Sequence, residues 1–268
     1  MIKRPGVLLG LFLLGVSILP FSCSRGSSHG EIIVAGSTSI QPFADRWAEA
    51  FIKNHPGAFI NVQGGGSSAG IQAAKSGAAD IGMSSRELKA DEKSLHEIVI
   101  ARDGLAIVVH PSNPVRNLRP VEIKQIFAGE IGRWSLLGGT DKAITVVTRE
   151  EGSGTRGAFQ ELVMGKTRIY RGAIVEDSNG TVREIVANDP DAIGYISLGL
   201  LNERVRALEL DGIAPGEATI RQKKYKLVRP FLFVTQGTPS GMAAEFIAFV
   251  LSAEGQSLAR KEGLLPIQ

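Results

Sequence analysis

Three short stretches of the chain combine glycines with serine and threonine hydroxyls, and they are the residues best suited to chemistry. They are Ala35–Ser39 (AGSTS), Gly64–Gly70 (GGGSSAG) and Thr148–Phe159 (TREEGSGTRGAF), called here loops one, two and three. Hydroxyls and backbone amides donate neutral hydrogen bonds, and glycines let a ligand approach the backbone. Arg149 in loop three adds a full positive charge with a planar fork that matches two oxygens. The three loops therefore predict a shared anion site.

The predicted elements around the loops strengthen this interpretation. Each loop follows a strand-like run, Glu31–Ala35, Ala58–Gln63 or Ile144–Val147, and precedes a helix-like run. A helix N-terminus leaves its first N–H groups unpaired and carries a partial positive charge, so it attracts phosphate-like anions. A single loop of this kind would be explained by ordinary N-capping of the helix. Three of them in one chain favour a common ligand.

One alternative remains open for loop three, and a nucleotide site is excluded for the loops. Arg149 is able to form a surface salt bridge to Glu150 or Glu151, and Glu151 is the candidate for steering the guanidinium. A nucleotide site is disfavoured by spacing, because no lysine follows Gly154 as a P-loop requires and Gly64–Gly66 does not form GxGxxG.

Alternating strand and helix patterns extend along most of the chain and predict an α/β fold with a largely parallel sheet. Further strands are predicted at Leu105–His110, Ala192–Ile196 and Phe231–Thr235. The clearest helix is Gln41–Asn54, whose aromatic residues recur every four positions on one face. The tail from Pro239 onward is predicted to form two helices separated by a break at residues 252–255.

The N-terminal 23 residues have the features of a secretory signal. Lys3 and Arg4 precede the uncharged run Val7–Leu19, which is too short to span a membrane but suits a signal h-region. Cys23 is the only cysteine and lies at a position resembling a bacterial lipobox, which predicts lipidation there. Cleavage without lipidation is the alternative, and residues 24–30 (SRGSSHG) are predicted to be a flexible tether.

The charge balance limits the classes of partner. The whole chain carries a net charge of +3, of which the signal contributes two positive charges, so the exported part is nearly neutral. Nucleic-acid binders concentrate basic charge, and this balance predicts no nucleic-acid partner. The sequence also predicts no cofactor and no metal site.

Several longer stretches resemble the substrate-binding protein of the phosphate-specific ABC importer, a type II periplasmic binding protein. They are AGSTSIQPFADRWAEAF, VQGGGSSAGIQAAKSGAADIGMSSRELK, IFAGEIGRWSLLGG, TREEGSGTRGAF, AIGYISLG and PSGMAAEFIAFVLSAEGQSLARKEGLLPI. The resemblance covers nearly the whole mature chain. It implies two α/β lobes, joined by two hinge crossover strands, that close on one dehydrated oxyanion.

The resemblance also implies the residues that bind phosphate. They are Thr38, the Ser39 amide, Ser67, Arg149, Ser153, and the Gly154 and Thr155 amides. At the position where well-known members have a carboxylate that accepts the proton of phosphate, this chain has Ser85, which also belongs to the implied site. Asp103 is the first candidate for a replacement proton acceptor, and a turn-forming Asp-Gly is its alternative role.

The order of the matching stretches predicts how the chain divides between the lobes. Residues 31–103 and 230–268 are predicted to form lobe one, and residues 104–229 lobe two. Loops one and two then belong to lobe one and loop three to lobe two, so a ligand in the cleft contacts both lobes.

The resulting functional prediction is a non-enzymatic protein that is exported, is anchored by a lipid on Cys23, binds inorganic phosphate and passes it to an ABC permease. A binding protein for sulfate, molybdate or tungstate is the main alternative, since Ser85 repels none of them. A serine hydrolase or phosphatase is disfavoured because the chain lacks GxSxG and SxxK motifs. A structural surface lipoprotein whose loops are only helix caps is the remaining hypothesis.

Overall fold

A computed structural model describes Ile2 and residues 31–267 of the chain. The predicted signal segment, Cys23 and the tether lie outside the described residues. The strands are β1 (Glu31–Gly36), β2 (Phe59–Gly64), β3 (Ile81–Ser84), β4 (His96–Val109), β5 (Asn117–Leu118), β6 (Thr145–Arg149), β7 (Ile174–Glu176), β8 (Ala192–Ser197), β9 (Arg206–Ala207), β10 (Glu209–Leu210) and β11 (Val228–Thr235). The helices are α1 (Gln41–Asn54), α2 (Ser67–Ser76), α3 (Pro120–Ala128), α4 (Gly154–Phe159), α5 (Asn179–Asn188), α6 (Glu217–Arg221), α7 (Gly241–Leu251) and α8 (Ala253–Lys261).

The main sheet is mixed rather than largely parallel. Its order is β2-β1-β3-β11-β4-β8-β6-β7, with β9 also paired to β4. Strands β1, β2 and β3 are parallel, as are β6, β7 and β8, but β4 and β11 run antiparallel to each other and to their other main-sheet neighbours. The prediction of a largely parallel sheet was wrong at the centre, because the two central strands carry the chain between the two parallel groups in opposite directions.

Strand β4 is shared by the two halves of the sheet. Its residues 96–104 pair with β11, and its residues 105–109 pair with β8. Separate apolar clusters fill the two halves, one around Trp47, Phe51 and Phe246 and the other around Trp134 and Phe127. The fold is therefore two-lobed, with β4 and β11 connecting the lobes.

Helix α1 has the predicted bounds, and its apolar face is buried, with Phe43, Trp47 and Phe51 each no more than 3% exposed. The tail differs slightly from the prediction. It does form two helices, but only Ser252 separates them, and the following residues of the predicted break belong to α8. The Ser252 hydroxyl accepts a hydrogen bond from the Gly255 amide, so this serine caps a new helix at once.

Close packing between glycines brings loops one and two together. A methyl group at Gly70 in α2 would lie 2.5 Å from the Gly36 Cα and would collide with the Ala35 carbonyl. A methyl group at Gly82 in β3 would lie 2.5 Å from the Gly70 carbonyl oxygen. Without side chains at these positions, α2 lies directly on β1 and β3. In the described part of the chain, no helix is both long and apolar enough to cross a membrane.

Candidate functional site

The three loops meet in one place. Loops one and two follow the adjacent parallel strands β1 and β2, whose last residues Gly36 and Gly64 are paired. Loop three follows β6 in the other half of the sheet and reaches across to both. The Ser68 amide donates a hydrogen bond to the Gly152 carbonyl at 3.1 Å, so loops two and three touch through their backbones. The predicted convergence of the three loops is present in the structure.

Arg149 is the central charge of this cluster and is only 1% exposed. Its Nε and Nη2 atoms donate to the two carboxylate oxygens of Glu150 at 3.0 and 3.1 Å. Nη2 also donates to the Thr38 hydroxyl at 3.1 Å, and backbone carbonyls of β7 and the following residue accept further bonds. Glu150 therefore orients the guanidinium, whereas Glu151, the candidate from sequence, is exposed.

One nitrogen of this guanidinium lacks a partner. Arg149 Nη1 is buried and makes no hydrogen bond within the described residues. A buried, charged donor left unpaired costs free energy, so it requires an acceptor from outside the chain. The other two nitrogens, Nε and Nη2, already donate to Glu150. An oxygen of a bound anion is therefore a suitable acceptor for Nη1.

A first group of hydroxyls surrounds Ser39 of loop one, which is 1% exposed. Its Oγ lies 2.7 Å from Thr155 Oγ1 of loop three. It also accepts hydrogen bonds from Asn179 Nδ2 at 2.8 Å and from Arg229 Nη2 at 3.4 Å. Ser39 thus joins loop one, loop three, the start of α5 and strand β11.

A second group contains Ser37, Ser67 and Ser85, all of them buried. Ser37 Oγ donates to Ser85 Oγ at 2.8 Å, and Ser85 Oγ lies 3.4 Å from Ser67 Oγ. The Ser85 amide donates to Ser67 Oγ at 3.0 Å. A methyl group on Gly154 would lie 2.5 Å from Ser85 Oγ, so a glycine is needed where loop three approaches these serines.

The N-terminus of α4 supplies the remaining donors. Ser153 caps the helix by accepting a hydrogen bond from the Arg156 amide at 3.2 Å. As the first residues of the helix, Gly154 and Thr155 have amides without intrahelical acceptors. The helix continues directly into a π-helical turn, Gln160–Met164. These amides and the Arg149 guanidinium all belong to loop three.

Asp103 lies beneath the loops on β4 and is fully buried. Its Oδ2 accepts from Arg229 Nε at 2.9 Å, and its Oδ1 accepts from the Ser197 hydroxyl at 2.8 Å. Burial raises the pKa of Asp103, while the neighbouring Arg229 charge opposes that rise. Both oxygens therefore already serve protein donors, and its role as the proton acceptor for a ligand stays a prediction.

Sequence reasoning missed three residues of this site, Asn179, Ser197 and Arg229, and it placed Ser37 in loop one without a role of its own. Asn179 carried a usable signal, because Ser178–Thr181 (SNGT) repeats the strand, hydroxyl-rich turn and helix arrangement of the three loops. Arg229 carried none, since its partner Asp103 is distant in sequence and becomes its neighbour only through the β4–β11 pairing. Tyr195 is a buried residue next to the site, and its hydroxyl lies 2.7 Å from Thr148 Oγ1.

The chemistry available at this site is anion binding. The described residues contain no group of three or more His, Cys, Asp or Glu side chains placed to hold a metal ion. The three loops contribute a guanidinium, hydroxyls and helix N-terminal amides, all of which are able to donate hydrogen bonds to oxyanions.

Comparisons with known proteins agree with this description. Residues 24–254 match the family model of the PBP superfamily domain. The phosphate-binding protein PstS of Bacillus subtilis is 34% identical over 246 residues, covering 90% of this chain and 82% of that protein. PstS of Borreliella burgdorferi is 28% identical, covering 98% and 99%.

Solved structures give the same result. A putative phosphate ABC transporter substrate-binding protein of Clostridium perfringens, crystallised with bound phosphate, is 41% identical with a TM-score of 0.85 and covers 89% of this chain and 100% of that one. An ABC-type phosphate transport receptor of Vibrio cholerae is 38% identical with a TM-score of 0.74 and covers 87% and 99%.

The two-lobed fold, with its mixed sheet shared between the lobes, is that of a type II substrate-binding protein. The chain belongs to the PBP superfamily and, within it, to the family of PstS phosphate-binding proteins.

Proposed function

We propose that this protein binds inorganic phosphate between its two lobes and delivers it to the permease of an ABC importer. The observation that carries the proposal is the buried Arg149 Nη1, which lacks a partner among the described residues and lies in a cluster of hydroxyls and helix N-terminal amides. The named functions of its relatives agree with this ligand.

We assign the phosphate contacts to donors from all three loops. They are the Thr38 hydroxyl, the Ser67 and Ser85 hydroxyls, the Arg149 guanidinium, Ser153, and the amides of Gly154 and Thr155. The Ser39 amide joins them only by sharing or giving up the hydrogen bond that it donates to Ser37 Oγ at 3.2 Å. Arg149 neutralises part of the ligand charge, and its unpaired Nη1 donates a charge-assisted hydrogen bond to one ligand oxygen. The neutral donors replace the water that the ion loses on entering the site.

The proposal includes closure of the lobes around the ion. Lobe one is assigned residues 31–103 and 230–268, and lobe two residues 104–229. Several polar contacts would then join the lobes at the site, including Ser39 with Thr155 and Thr38 with Arg149. Closure is favoured by the extra contacts that the ligand makes when both lobes surround it.

Export and anchoring complete the proposal. The signal segment would direct the protein to the periplasm or the outer face of the membrane, and a lipid on Cys23 would keep it near the permease. Mass spectrometry of the membrane fraction tests the anchor, because lipidation adds the mass of the acyl groups to a peptide beginning at Cys23. A mature protein whose N-terminus is unmodified would contradict it.

A second ligand class is supported by one observation. Ser85 provides no negative charge that would repel a proton-free oxyanion, so sulfate and molybdate are candidates for the same site. Calorimetric titration of the stripped mature protein with phosphate, sulfate and molybdate tests both classes. Binding of phosphate supports the proposed function, tight molybdate binding without phosphate binding favours the second class, and no heat from any of the three contradicts an oxyanion site.

A further inference from the structure

Five buried residues beneath the loops form a closed ring of hydrogen bonds, each no more than 2% exposed: Ser39, Asp103, Asn179, Ser197 and Arg229. Asn179 Nδ2 donates to Ser39 Oγ at 2.8 Å, and Asn179 Oδ1 accepts from the Ser197 amide at 3.1 Å. The Ser197 hydroxyl donates to Asp103 Oδ1 at 2.8 Å, and Asp103 pairs with Arg229. Arg229 Nη2 closes the ring by donating to Ser39 Oγ at 3.4 Å.

The ring includes residues of both lobes and of the strands that connect them. Ser39 precedes α1 in lobe one, whereas Asn179 begins α5 and Ser197 ends β8 in lobe two. Asp103 and Arg229 are directly paired residues on the connecting strands β4 and β11. Within the ring, the bond between Ser39 and Asn179 is the step that joins one lobe to the other without passing through these strands. A displacement of about 1 Å between the two side chains is enough to break it.

The side chain of Asn179 is not used to cap the helix that it begins. Ser178 caps α5, because its hydroxyl accepts a hydrogen bond from the Thr181 amide at 3.1 Å. Asparagine is a poor helix former, and a buried amide costs free energy unless it is hydrogen-bonded. The contacts with Ser39 and Ser197 are therefore the physical reason for an asparagine at this position.

Ser39 connects the ring to the loops that carry the proposed phosphate contacts. Its Oγ lies 2.7 Å from Thr155 Oγ1 of loop three. The preceding residue, Thr38, accepts a hydrogen bond from Arg149 Nη2 at 3.1 Å. The position of Ser39 relative to lobe two thus determines how closely loop one meets loop three.

We infer that Asn179 is a positioning residue for phosphate binding: its bond to Ser39 stabilises the closed lobes and slows the release of the ion, without contact between Asn179 and the ion. The inference rests on the proposed function and identifies a contact of the protein itself that favours closure. A contact made only in the closed conformation stabilises that conformation relative to the open one. The affinity for a ligand that is held by both lobes then rises with the population of the closed conformation.

Asn179→Ala removes this contact and leaves the proposed phosphate donors in place. We expect phosphate affinity to fall by about threefold to tenfold, as for the loss of one buried hydrogen bond. The loss should appear as faster release, measured by rapid mixing of protein loaded with radiolabelled phosphate into excess unlabelled phosphate. The association rate should stay within about twofold of the wild-type rate, because the ion enters the open conformation, which lacks the contact. Asn188→Ala is the matched control, since Asn188 is exposed at the far end of the same helix.

A double-mutant cycle separates positioning from direct contact with the ion. Ser39→Ala removes the same bond from the other side and keeps the backbone amide of that residue. If Asn179 acts through Ser39, adding Asn179→Ala to Ser39→Ala should change phosphate affinity by less than about twofold. A residue that touched phosphate, or that served only the stability of α5, would lower affinity by a similar factor in both backgrounds. Should Asn179→Ala fail to fold, Ser39→Ala still tests the bond, because it should accelerate release on its own.

The outcomes distinguish this inference from the proposed function. Unchanged release from either single variant, or additive losses in the double variant, overturns the positioning role and leaves the phosphate carrier intact. A similar loss in Asn188→Ala overturns it as well, because the effect would then belong to the helix and not to the bond. Failure of the wild type to bind phosphate overturns the proposed function itself.

Discussion

The three side-chain nitrogens of Arg149 differ in their hydrogen-bond partners, and a sequence motif does not reveal this difference. Two of them, Nε and Nη2, are held by Glu150 and backbone carbonyls, and only Nη1 remains for a ligand. In the proposed role, the side chain would meet the ligand already oriented, and little rotational freedom would be lost on binding. The sequence singled out Arg149 as the one full charge of loop three, but it favoured Glu151 over Glu150 for orienting the guanidinium, because side-chain direction in an irregular loop cannot be deduced from spacing.

Arg149→Lys tests this arrangement at the level of one side chain. Lysine keeps the charge but lacks the fork, so it cannot bind Glu150 through two nitrogens and still present a third to the ligand. We expect phosphate affinity to fall by about tenfold to a hundredfold, which corresponds to the loss of one charge-assisted hydrogen bond. Calorimetry measures the change, with exposed Arg171→Lys as control; unchanged affinity in Arg149→Lys would contradict the proposed role.

Asp103→Asn tests the ion pair beneath the site. Arg229 is 2% exposed, and the substitution leaves its charge without a counter-charge. Breaking a buried pair in this way costs about 3–5 kcal/mol, whereas replacing both partners by apolar residues is close to neutral. We expect Asp103→Asn to lower the free energy of unfolding by about 3 kcal/mol or more in urea, and the double variant Asp103→Leu with Arg229→Met to recover most of it. If Asp103→Asn unfolded at the same urea midpoint as the wild type, the proposed importance of the buried ion pair would be contradicted.

At the scale of elements, the site depends on how closely α2 can approach the sheet. The glycines of β1, α2 and β3 remove the side chains that would separate these elements, and loops one and two meet as a result. The sequence predicted α1 with its correct ends because an amphipathic pattern with strong stop signals determines such a helix locally. It did not predict β3, a buried strand of four residues that is too short to show a pattern.

Gly70→Ala tests this packing. Helix propensity alone predicts that this substitution stabilises the protein, whereas the packing predicts that it destabilises it. Alanine is favoured over glycine inside a helix by about 1 kcal/mol. Here the new methyl group would collide with the backbone of β1, and overpacking costs about 1–3 kcal/mol. We expect lower stability in urea together with weaker phosphate binding, because loop two is displaced from loop one.

Gly180→Ala is the matched control for that substitution. It lies in helix α5, and a methyl group there would have its nearest neighbour, Ser178 Oγ, at an ordinary 3.6 Å. Its urea midpoint should stay the same or rise. If Gly70→Ala behaved like this control, the close approach of α2 would not be what holds the two loops together.

At the scale of the whole molecule, two strands connect lobes with separate apolar cores. The two-lobed architecture was predictable only through the resemblance of long stretches to a known family, because the pairing of β4 with β11 joins residues more than a hundred positions apart. The same separation along the sequence explains why Arg229 was not predicted as a site residue. Local patterns determine the helices and the loops, and the long-range pairing determines which of them share a site.

Ligand-driven closure is the prediction that belongs to this scale. Phosphate at a thousand times its dissociation constant should stabilise the folded protein by about 4 kcal/mol. Solution scattering should show a smaller radius of gyration with phosphate than without it, because both lobes contact the ion. A rise in melting temperature without compaction would mean that the site binds the ion in a conformation already closed.

Burial of the site has a further consequence for timing. Ser39, Ser67, Ser85, Arg149 and Thr155 are each no more than 1% exposed, so the described conformation leaves no open route from the site to solvent through these side chains. On the proposed function, an ion held there would depart only when the lobes separate, so the rate of that opening would limit its release. Two anions of different affinity then share one exit step, and a permease that pulls the lobes apart would accelerate unloading without competing for a single hydrogen bond.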